Sequence, residues 1–410
     1  MEQLYKNPRT LLRMREGPLG ACVDDLGRQL GEEGYVRTSA CYALQLMADL
    51  GRWIARRKVM AGQLTPEHLK RYLEYRSRHR HRRSGDGAIV RRLLKILQEK
   101  GIVAAAAPTE RSAAQRLEEE FQLYLQQERR LASATVVDYL AFAKRFLAHC
   151  FADGEVRLDC LRAVDVVGFV QREAARYHPK RSKLMTTALR SFLQYARYRD
   201  LISLDLRSSV PTVASWSMAS LPRALSSDEV QRLLAHCDRH TAVGRRNWAI
   251  LLLLARLGLR GGEVVGLALD DLNWDAGELC IRASGGNSDR LPIPDDVGAA
   301  LADYLRHSRP VCSSRRVFVR TRAPHRGFAS SVAICSIVRR ALERAGLNPA
   351  HKGAHLLRHS VATQMLRKGA SLAEIGELLR HRSQQTTMIY AKVDLDLLRP
   401  LALPWPGGAQ

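Results

Sequence analysis

The 410-residue sequence lacks several features that would assign its class directly. Its eight cysteines form no CxxC pair, and most lie in apolar stretches, which is typical of reduced, buried thiols. The start of the chain lacks the apolar core of a secretory signal. The longest apolar run, Trp248 to Leu259, is interrupted by Arg256 and is too short to span a bilayer. These absences predict a soluble cytoplasmic protein with no membrane partner.

Acidic residues are few relative to basic ones. The chain has 41 Asp and Glu against 65 Lys and Arg, which gives a formal net charge of +24 and a pI near 10.2. An excess of this size attracts polyanions, of which nucleic acid is the commonest. From charge alone, a basic protein kept soluble by its charge, or one that meets anionic lipid, stays open.

Two stretches rich in Ala, Ser and Pro, near 101–114 and 208–226, are typical of linkers. They divide the chain into three predicted domains. These are an N-terminal helical module at 1–107, a second helical domain at 112–208, and a larger domain at 222–410. The expected fold class is therefore mostly α, with a small antiparallel β-sheet in the third domain.

The first two domains resemble each other in their order of signals. A helix opening at Thr38 recurs at Thr135, and a second helix ending near Leu73 recurs near Val170, at an offset of 97 for the second helix. A repeat of this kind predicts a duplication of one helical fold. Generic helical patterning would explain the same similarity, so that alternative stays open.

The third domain mixes helix and strand signals. Ser226 and Glu229 stand three apart before an apolar run, which is a capping-box start. Leu279 and Ile281 alternate with polar residues before a glycine-containing turn at 285–287, which predicts a β-hairpin. Three further helices are expected after it, the last opened by Ser371 with Glu374.

Five residues of this domain have the side chains needed to break a DNA strand without a metal. A phosphodiester in transit carries charge that two guanidiniums can clamp, imidazoles can donate hydrogen bonds or move the proton of the attacking hydroxyl, and a phenol can attack and keep the strand as a phosphotyrosine. The candidate catalytic residues are Arg260, His355, Arg358, His381 and Tyr390.

The order of these residues resembles that of the tyrosine recombinases: Arg in GLRGGE, then HLLRH, then His and finally Tyr. The resemblance runs over about 222–395, and 112–205 is similar to the SAM-like core-binding domain of that family. It implies a site-specific recombinase or integrase of a mobile element, with Tyr390 forming a 3′-phosphotyrosine and Glu263 supporting the arginines. Its members use no metal or other cofactor.

The resemblance also implies partners. The two domains of family members enclose double-stranded DNA in a C-shaped clamp, and the proteins act as synaptic tetramers on two sites. The apolar C-terminal segment, Leu395 to Trp405, would pack on a neighbouring subunit. We therefore expect a homo-oligomer in the nucleoid. Residues expected to contact phosphate are Arg80, Arg82, Arg83, Lys180, Arg181, Lys183, Arg190 and Arg290.

One position departs from the family pattern. Members carry a lysine in the hairpin turn that protonates the leaving 5′ oxygen, whereas Ser284 stands at the corresponding position and the hairpin has no lysine. Arg282 or Arg290 would have to substitute, and a guanidinium is a poor proton donor. The sequence therefore predicts a slowed enzyme.

Three other interpretations remain open. A non-catalytic DNA-binding partner of another recombinase would explain Ser284. A type IB topoisomerase would share the chemistry, although the duplicated helical domains and apolar tail favour an assembling recombinase. A zinc site is suggested by His351, His355 and His359 at four-residue spacing. However, Pro349 and Gly353 are expected to keep His351 off the helix, and no metal site is predicted.

Overall fold

The computed structural model describes residues 7–79, 83, 85–103, 112–151, 155–214, 224–282 and 288–391. The fold is mostly helical with one small antiparallel sheet, which confirms the expected fold class. The chain forms two compact units, one of Met1–Ala105 with Ser220–Gln410 and one of Ala106–Ala219. We call Met1–Ala105 the N-terminal module, Ala106–Ala219 the second module and Ser220–Gln410 the C-terminal domain. The three domain boundaries stay a prediction.

The N-terminal module contains five α-helices in its described residues. Their apolar faces form one core, in which Val23, Leu44, Leu50 and Ile54 are all completely buried. The helices are α1 (Pro8–Arg15), α2 (Val23–Glu32), α3 (Arg37–Arg56), α4 (Pro66–His79) and α5 (Asp86–Glu99).

The second module contains four α-helices in its described residues. Aromatic side chains fill its core, and Phe121 meets Phe192 edge to face with ring centroids 5.2 Å apart. The helices are α6 (Ala113–Leu123), α7 (Ser133–Cys150), α8 (Ala163–Ala174) and α9 (Pro179–Tyr198).

The C-terminal domain is built around a buried helix and carries the sheet. Strands β1 (Leu272–Asn273), β2 (Glu278–Arg282) and β3 (Ser288–Pro292) pair antiparallel in chain order, with Leu279 opposite Leu291. The helices are α10 (Ser227–Ala235), α11 (Ala242–Leu257), α12 (Gly261–Gly266), α13 (Asp295–His307), α14 (Val332–Arg344), α15 (Ala354–Arg367), α16 (Leu372–Leu378) and α17 (Gln384–Thr387).

Several local signals are confirmed in this domain. Ser226 and Ser371 each accept a hydrogen bond from the backbone three residues later, in capping boxes with Glu229 and Glu374. The hairpin is present as β2 and β3, while its turn at 283–287 lies outside the described residues.

Two expectations are wrong. Five described helices, α13 to α17, follow the hairpin instead of three, and the four-residue α17 comes after the helix that Ser371 opens. Burial of the cysteines holds for Cys22 and Cys237, whereas Cys160 is exposed and the others are partly buried. The apolar neighbours of a cysteine in the sequence therefore did not determine which way its side chain faces.

Candidate active site

Arg260 follows a sharp helix end. Helix α11 stops at Leu257, and Gly258 adopts the left-handed conformation with φ of 58°, which glycine reaches without steric cost. The chain then turns into α12, with Arg260 as its N-cap residue. The Arg260 guanidinium donates to Glu263 Oε1 at 2.7 Å and to the carbonyl of Arg380 at 3.2 Å.

Arg358 is held by the same two chain segments. It lies on α15 with only 4% of its surface exposed. Its Nη1 donates to the Gly258 carbonyl at 2.5 Å, and its Nη2 donates to the Leu379 carbonyl. Because Gly258 and Leu379 adjoin the segments that hold Arg260, the structure brings the two arginines into one cluster.

Arg380 is a third member of this cluster, and the sequence interpretation missed it. Its φ of 53° is unusual for a residue with a side chain, and its Nη2 donates to Glu263 Oε2 at 2.8 Å. Arg260 and Arg380 thus share the Glu263 carboxylate. Burial acts to raise the pKa of Glu263, but the backbone N–H of Arg260 and the two guanidiniums together lower it.

Positive charge exceeds negative charge in this cluster. Arg358 is bound by backbone carbonyls, and burial, followed by Arg260 and Arg380, lowers its pKa to about 10. Like charges held this close repel one another. The arrangement of the three arginines around Glu263 therefore favours an added anion.

Two candidate histidines lie beside the arginines. His355 is exposed in the first turn of α15, and desolvation, followed by Arg358 and Arg260, lowers its pKa. His381 follows α16, and its Nδ1 lies 2.7 Å from Thr387 Oγ1. Burial, with Arg358 and Arg260, lowers the pKa of His381 to about 4, so its ring is neutral at pH 7.

Tyr390 is buried, with 1% of its surface exposed. Its hydroxyl lies 2.8 Å from His359 Nδ1. Burial, followed by His355 and Arg358, lowers the pKa of His359 to about 4, so its ring is neutral at pH 7 and is able to accept a hydrogen bond from the Tyr390 hydroxyl. Burial also raises the pKa of Tyr390. The parallel ring of His381 lies 6.4 Å away, centroid to centroid.

A cleft of about 1580 Å³ opens beside these groups. Arg260, His355 and His381 line it, together with Arg282 of β2 and Arg290 of β3. Arg358 and Tyr390 are absent from the described residues that line this cleft. The structure therefore brings the five candidates to one region, but the phenol does not reach the open space.

The hairpin arginines differ in how they are held. Arg282 donates through Nε and Nη2 to Asp271 Oδ1 at 2.9 and 2.8 Å, and Asp271 is 4% exposed. Arg290 contacts Glu278 at 3.5 Å. Both arginine side chains are largely exposed, 70% for Arg282 and 78% for Arg290, so they differ in their carboxylate contacts and not in burial. Ser284 lies outside the described residues.

The predicted phosphate contacts vary in their surroundings. Lys180 and Lys183 are exposed on α9, and Arg181 is paired with Asp138 at 3.1 Å. Arg190 donates to the Val210 carbonyl at 2.8 Å, so its guanidinium fixes the end of the second module. Arg83 is exposed, whereas Arg80 and Arg82 lie outside the described residues.

The remaining expectations concern metal and membrane. Gly353 is the N-cap residue of α15, so His351 precedes the helix and is not helical, as expected. Within the described ranges, no cluster of three or more His, Cys, Asp or Glu side chains has the arrangement of a metal site. None of the helices in those ranges is both long and apolar enough to cross a membrane.

Comparisons with known proteins identify the family. A model of the phage integrase family matches residues 223–396, and a model of the phage integrase N-terminal SAM-like domain matches residues 119–200. With this fold and these relatives, the chain belongs to the tyrosine recombinase family, a class of DNA recombination enzymes.

The similarity to named relatives is extensive. The chain is 45% identical to y4rA of Sinorhizobium fredii, named as an integrase/recombinase, over 98% of both chains. It is 30% identical to the tyrosine recombinase XerD of Listeria monocytogenes over 67% of this chain and 93% of that one. XerH recombinase bound to a palindromic difH substrate has the same fold, with a TM-score of 0.56 at 20% identity, covering 82% of this chain and 94% of that chain.

Proposed function

We propose that this protein cuts and rejoins duplex DNA at specific sites, with Tyr390 forming a 3′-phosphotyrosine. The observation that supports it most is the cluster of three arginines, in which Arg260 and Arg380 share the Glu263 carboxylate. The third, Arg358, is held by backbone carbonyls and has no carboxylate bound to it. A phosphodiester under attack gains negative charge on its non-bridging oxygens, and a preorganised excess of positive charge stabilises that state. Arg260 and Arg358 are the clamp, and Glu263 orients Arg260.

The chemical step exchanges one phosphorus–oxygen bond for another. The Tyr390 oxygen attacks phosphorus, the P–O5′ bond breaks, and the phenol proton goes to a neutral imidazole. His359 is within hydrogen-bond distance of that proton, and a ring with a pKa of about 4 accepts it only transiently. His355 and His381 donate to the phosphate oxygens. The freed 5′ hydroxyl later attacks the phosphotyrosine and restores the strand.

Tyr390 has to move for this reaction, because its hydroxyl is buried against His359 and does not line the cleft. DNA entering the cleft brings a phosphate beside Arg260. The gain from neutralising the arginine cluster then offsets the loss of the hydrogen bond between Tyr390 and His359, which is on the order of 1 kcal/mol.

The leaving 5′ oxygen needs stabilisation that the missing lysine would supply in relatives. We assign this role to Arg282, because Asp271 fixes its guanidinium at the cleft wall. Arg282 donates a hydrogen bond but does not release a proton readily, so the oxygen takes its proton from water, and the proton taken up by His359 neutralises the hydroxide that remains. Cleavage is therefore slow, in keeping with Ser284 in the hairpin turn.

Covalent trapping tests the central proposal. Nicked duplexes made from the DNA that flanks the gene are incubated with the protein, and adducts are resolved on a denaturing gel. We expect an adduct that disappears in Tyr390→Phe and persists in Tyr304→Phe, a buried tyrosine of the same domain. An adduct that survives Tyr390→Phe would overturn the proposal.

The hairpin is tested by Ser284→Lys. Restoring a proton donor should accelerate adduct formation by at least about tenfold, since general acid catalysis contributes 10²–10⁴-fold. A substrate with sulfur in place of the bridging 5′ oxygen needs no proton, so on it Ser284→Lys and the original protein should cleave at equal rates. Equal rates on the oxygen substrate would reject the slowed-enzyme hypothesis.

Arg282 is tested by Arg282→Ala on both substrates. The variant should slow cleavage of the oxygen substrate and leave cleavage of the sulfur substrate nearly unchanged. Arg290→Ala is the matched control on the same hairpin. If Arg290→Ala has the larger effect, the assignment to Arg282 is wrong.

A non-catalytic DNA-binding partner is the second candidate function. Ser284 and the buried hydroxyl of Tyr390 favour it. The two functions differ in trapping, because a partner protein would bind the duplexes without forming an adduct. Relaxation of any supercoiled plasmid would instead favour a topoisomerase.

Assembly as a synaptic tetramer through the C-terminal tail is part of the proposal, and the tail from 392 onward lies outside the described residues.

A further inference from the structure

We propose that the N-terminal module is a second DNA-binding module, which holds duplex phosphates at the corner between α4 and α5. The choice of duplex DNA as ligand rests on the proposed function. The binding surface is defined by the exposed residues Arg78, His79 and Arg83, which we call the basic corner.

The two modules repeat a short turn and the helix that follows it at the same distance along the chain. Helix α4 begins at Pro66 and α8 at Ala163, which is 97 residues later. The short 3-10 turns before them, Ala61–Gln63 and Leu158–Cys160, keep that same offset. Packing repeats as well, because α5 contacts α3 and α4 as α9 contacts α7 and α8. The shared turn, the helix after it and the same pattern of helix contacts support a duplication of one helical unit.

A buried charge occupies the same position in both modules, with its sign inverted. Arg76 on α4 is 8% exposed and contacts Asp49 and Asp86 at 3.2 Å each. Glu173 on α8, again 97 residues later, is 5% exposed and contacts Arg176 at 2.7 Å. A buried ion requires partners placed around it. The buried ion therefore fixes the end of α4 in the N-terminal module and the end of α8 in the second module.

Exposed cations follow the buried ion in both modules. The second module presents Arg172, Arg176, His178, Lys180 and Lys183 at this corner, all exposed. These include two of the residues expected to contact phosphate. The N-terminal module presents the basic corner at the equivalent place. Both modules therefore carry positive charge between two successive helices, α4 and α5 in the N-terminal module and α8 and α9 in the second module.

The basic corner is fixed on its support. The Arg83 guanidinium lies 4.1 Å from the ring centroid of Tyr42 on α3, and its backbone N–H donates to Asp86 Oδ2 at 3.2 Å. In the second module, Arg181 lies 5.1 Å from the Phe142 ring of α7. Stacked guanidiniums lose less freedom when they bind a phosphate. A duplex backbone matches them because its phosphates are anionic and regularly spaced.

The experiment measures binding of the full chain to a random-sequence duplex, in a Tyr390→Phe background that excludes cleavage. Fluorescence anisotropy gives Kd between 50 and 300 mM salt. Arg78→Ala with Arg83→Ala should weaken binding about tenfold at 100 mM salt and reduce the slope of log K against log salt by about 2, since each phosphate contact contributes roughly 0.9. Arg78→Lys with Arg83→Lys should retain most of the binding.

The matched control removes the same charge elsewhere in the module. Arg28→Ala with Lys95→Ala deletes two exposed cations from α2 and α5, each within 4 Å of an acidic neighbour on its own helix. A similar loss in both double variants would overturn the proposal, because net charge alone would then explain binding. An unchanged Kd in the basic-corner variant would also overturn it.

Two further readouts separate this inference from its alternatives. If the basic corner held a lipid surface, its removal would reduce binding to vesicles containing anionic phospholipid and leave the duplex Kd unchanged, which would reject the proposal. The cleavage test depends on Tyr390 and not on the basic corner. Failure to trap an adduct would therefore leave the binding measurement interpretable, and loss of duplex binding would be visible without cleavage.

Discussion

At the scale of single residues, the contact between Tyr390 and His359 controls the candidate nucleophile. His359 was visible in the sequence as the last residue of HLLRH, but only the structure shows that its ring lies within hydrogen-bond distance of the Tyr390 hydroxyl. The contact joins residues 31 apart in the chain. No local pattern encodes such a distance, so the sequence could identify the phenol without showing that it is sequestered.

The histidines around the arginine cluster make stability depend on pH. Their pKa values are lowered on folding, to about 4 for His359 and His381 from 6.5. The unfolded chain therefore binds more protons between these values, and stability falls as pH drops from 6.5 towards 4. We expect a loss on the order of 2 kcal/mol for each ring, about 4–5 kcal/mol for the two, between pH 7 and pH 4.5, measured by urea unfolding.

The variant His359→Leu tests whether this histidine causes part of the loss of stability at low pH, as opposed to the other groups that titrate in this range. It removes one of the titrating groups, so its stability should decline less steeply over the same pH range. His236→Leu, an exposed histidine at the end of α10, is the control and should keep the original slope. Equal slopes in both variants would mean that His359 titrates alike in the folded and unfolded chain.

At the scale of elements, local signals predicted helix boundaries well. The capping boxes at Ser226 and Ser371 and the glycine stop at Gly258 need only neighbours within a few residues. Arg380 was missed because its role depends on Glu263, 117 residues away. The buried ion at Arg76 was missed because its partners Asp49 and Asp86 lie on two other helices, so their contacts form only when the module folds.

Gly258 joins a helix end to the arginine cluster. A Cβ there would lie 2.6 Å from Leu379 Cδ2, at a φ that side chains rarely adopt. Gly258→Ala should cost about 1–2 kcal/mol of stability and shift the carbonyls that hold Arg358, so trapping should fall. Gly346→Ala has a similar φ and open space around its Cβ. It should lose about 1 kcal/mol in thermal unfolding and keep its trapping activity.

The buried ion of the N-terminal module has a measurable effect on stability. Asp86 is completely buried and accepts hydrogen bonds from Tyr42 at 2.6 Å and Arg76 at 3.2 Å. Asp86→Asn leaves Arg76 with one carboxylate, and we expect a loss of about 3 kcal/mol in urea unfolding. Asp25→Asn removes a more exposed pair and should cost less than about 1 kcal/mol. Comparable losses would contradict the assigned burial effect.

At the scale of the whole molecule, the described residues form separate apolar cores for the N-terminal module, the second module and the C-terminal domain. The sequence predicted these parts from linker composition and repeat spacing. Net charge predicted the ligand class, and the order of Arg, His and Tyr led to the family. Neither could show which cations are paired, because pairing depends on neighbours brought together by folding.

Separate cores predict that unfolding is not a single transition. Leu44→Ala in the N-terminal module and Phe192→Ala in the second module each remove a fully buried side chain. Each should cost about 3 kcal/mol and lower the temperature of a different transition in calorimetry. If both variants shifted the same single transition, the cores would be unfolding as one cooperative unit.

If the two modules are copies of one fold, as the sequence predicts, their inverted buried charges also affect how the copies avoid pairing wrongly during folding. Neighbouring copies of one fold are prone to exchange equivalent helices during synthesis. If α4 took the place of α8, Arg76 would be buried beside Arg145 and Arg176, which contact Glu173 in the native module. The opposite substitution would bring Glu173 between Asp49 and Asp86. Opposite polarity at one position thus discriminates against mispairing of the two copies, while both keep the same backbone.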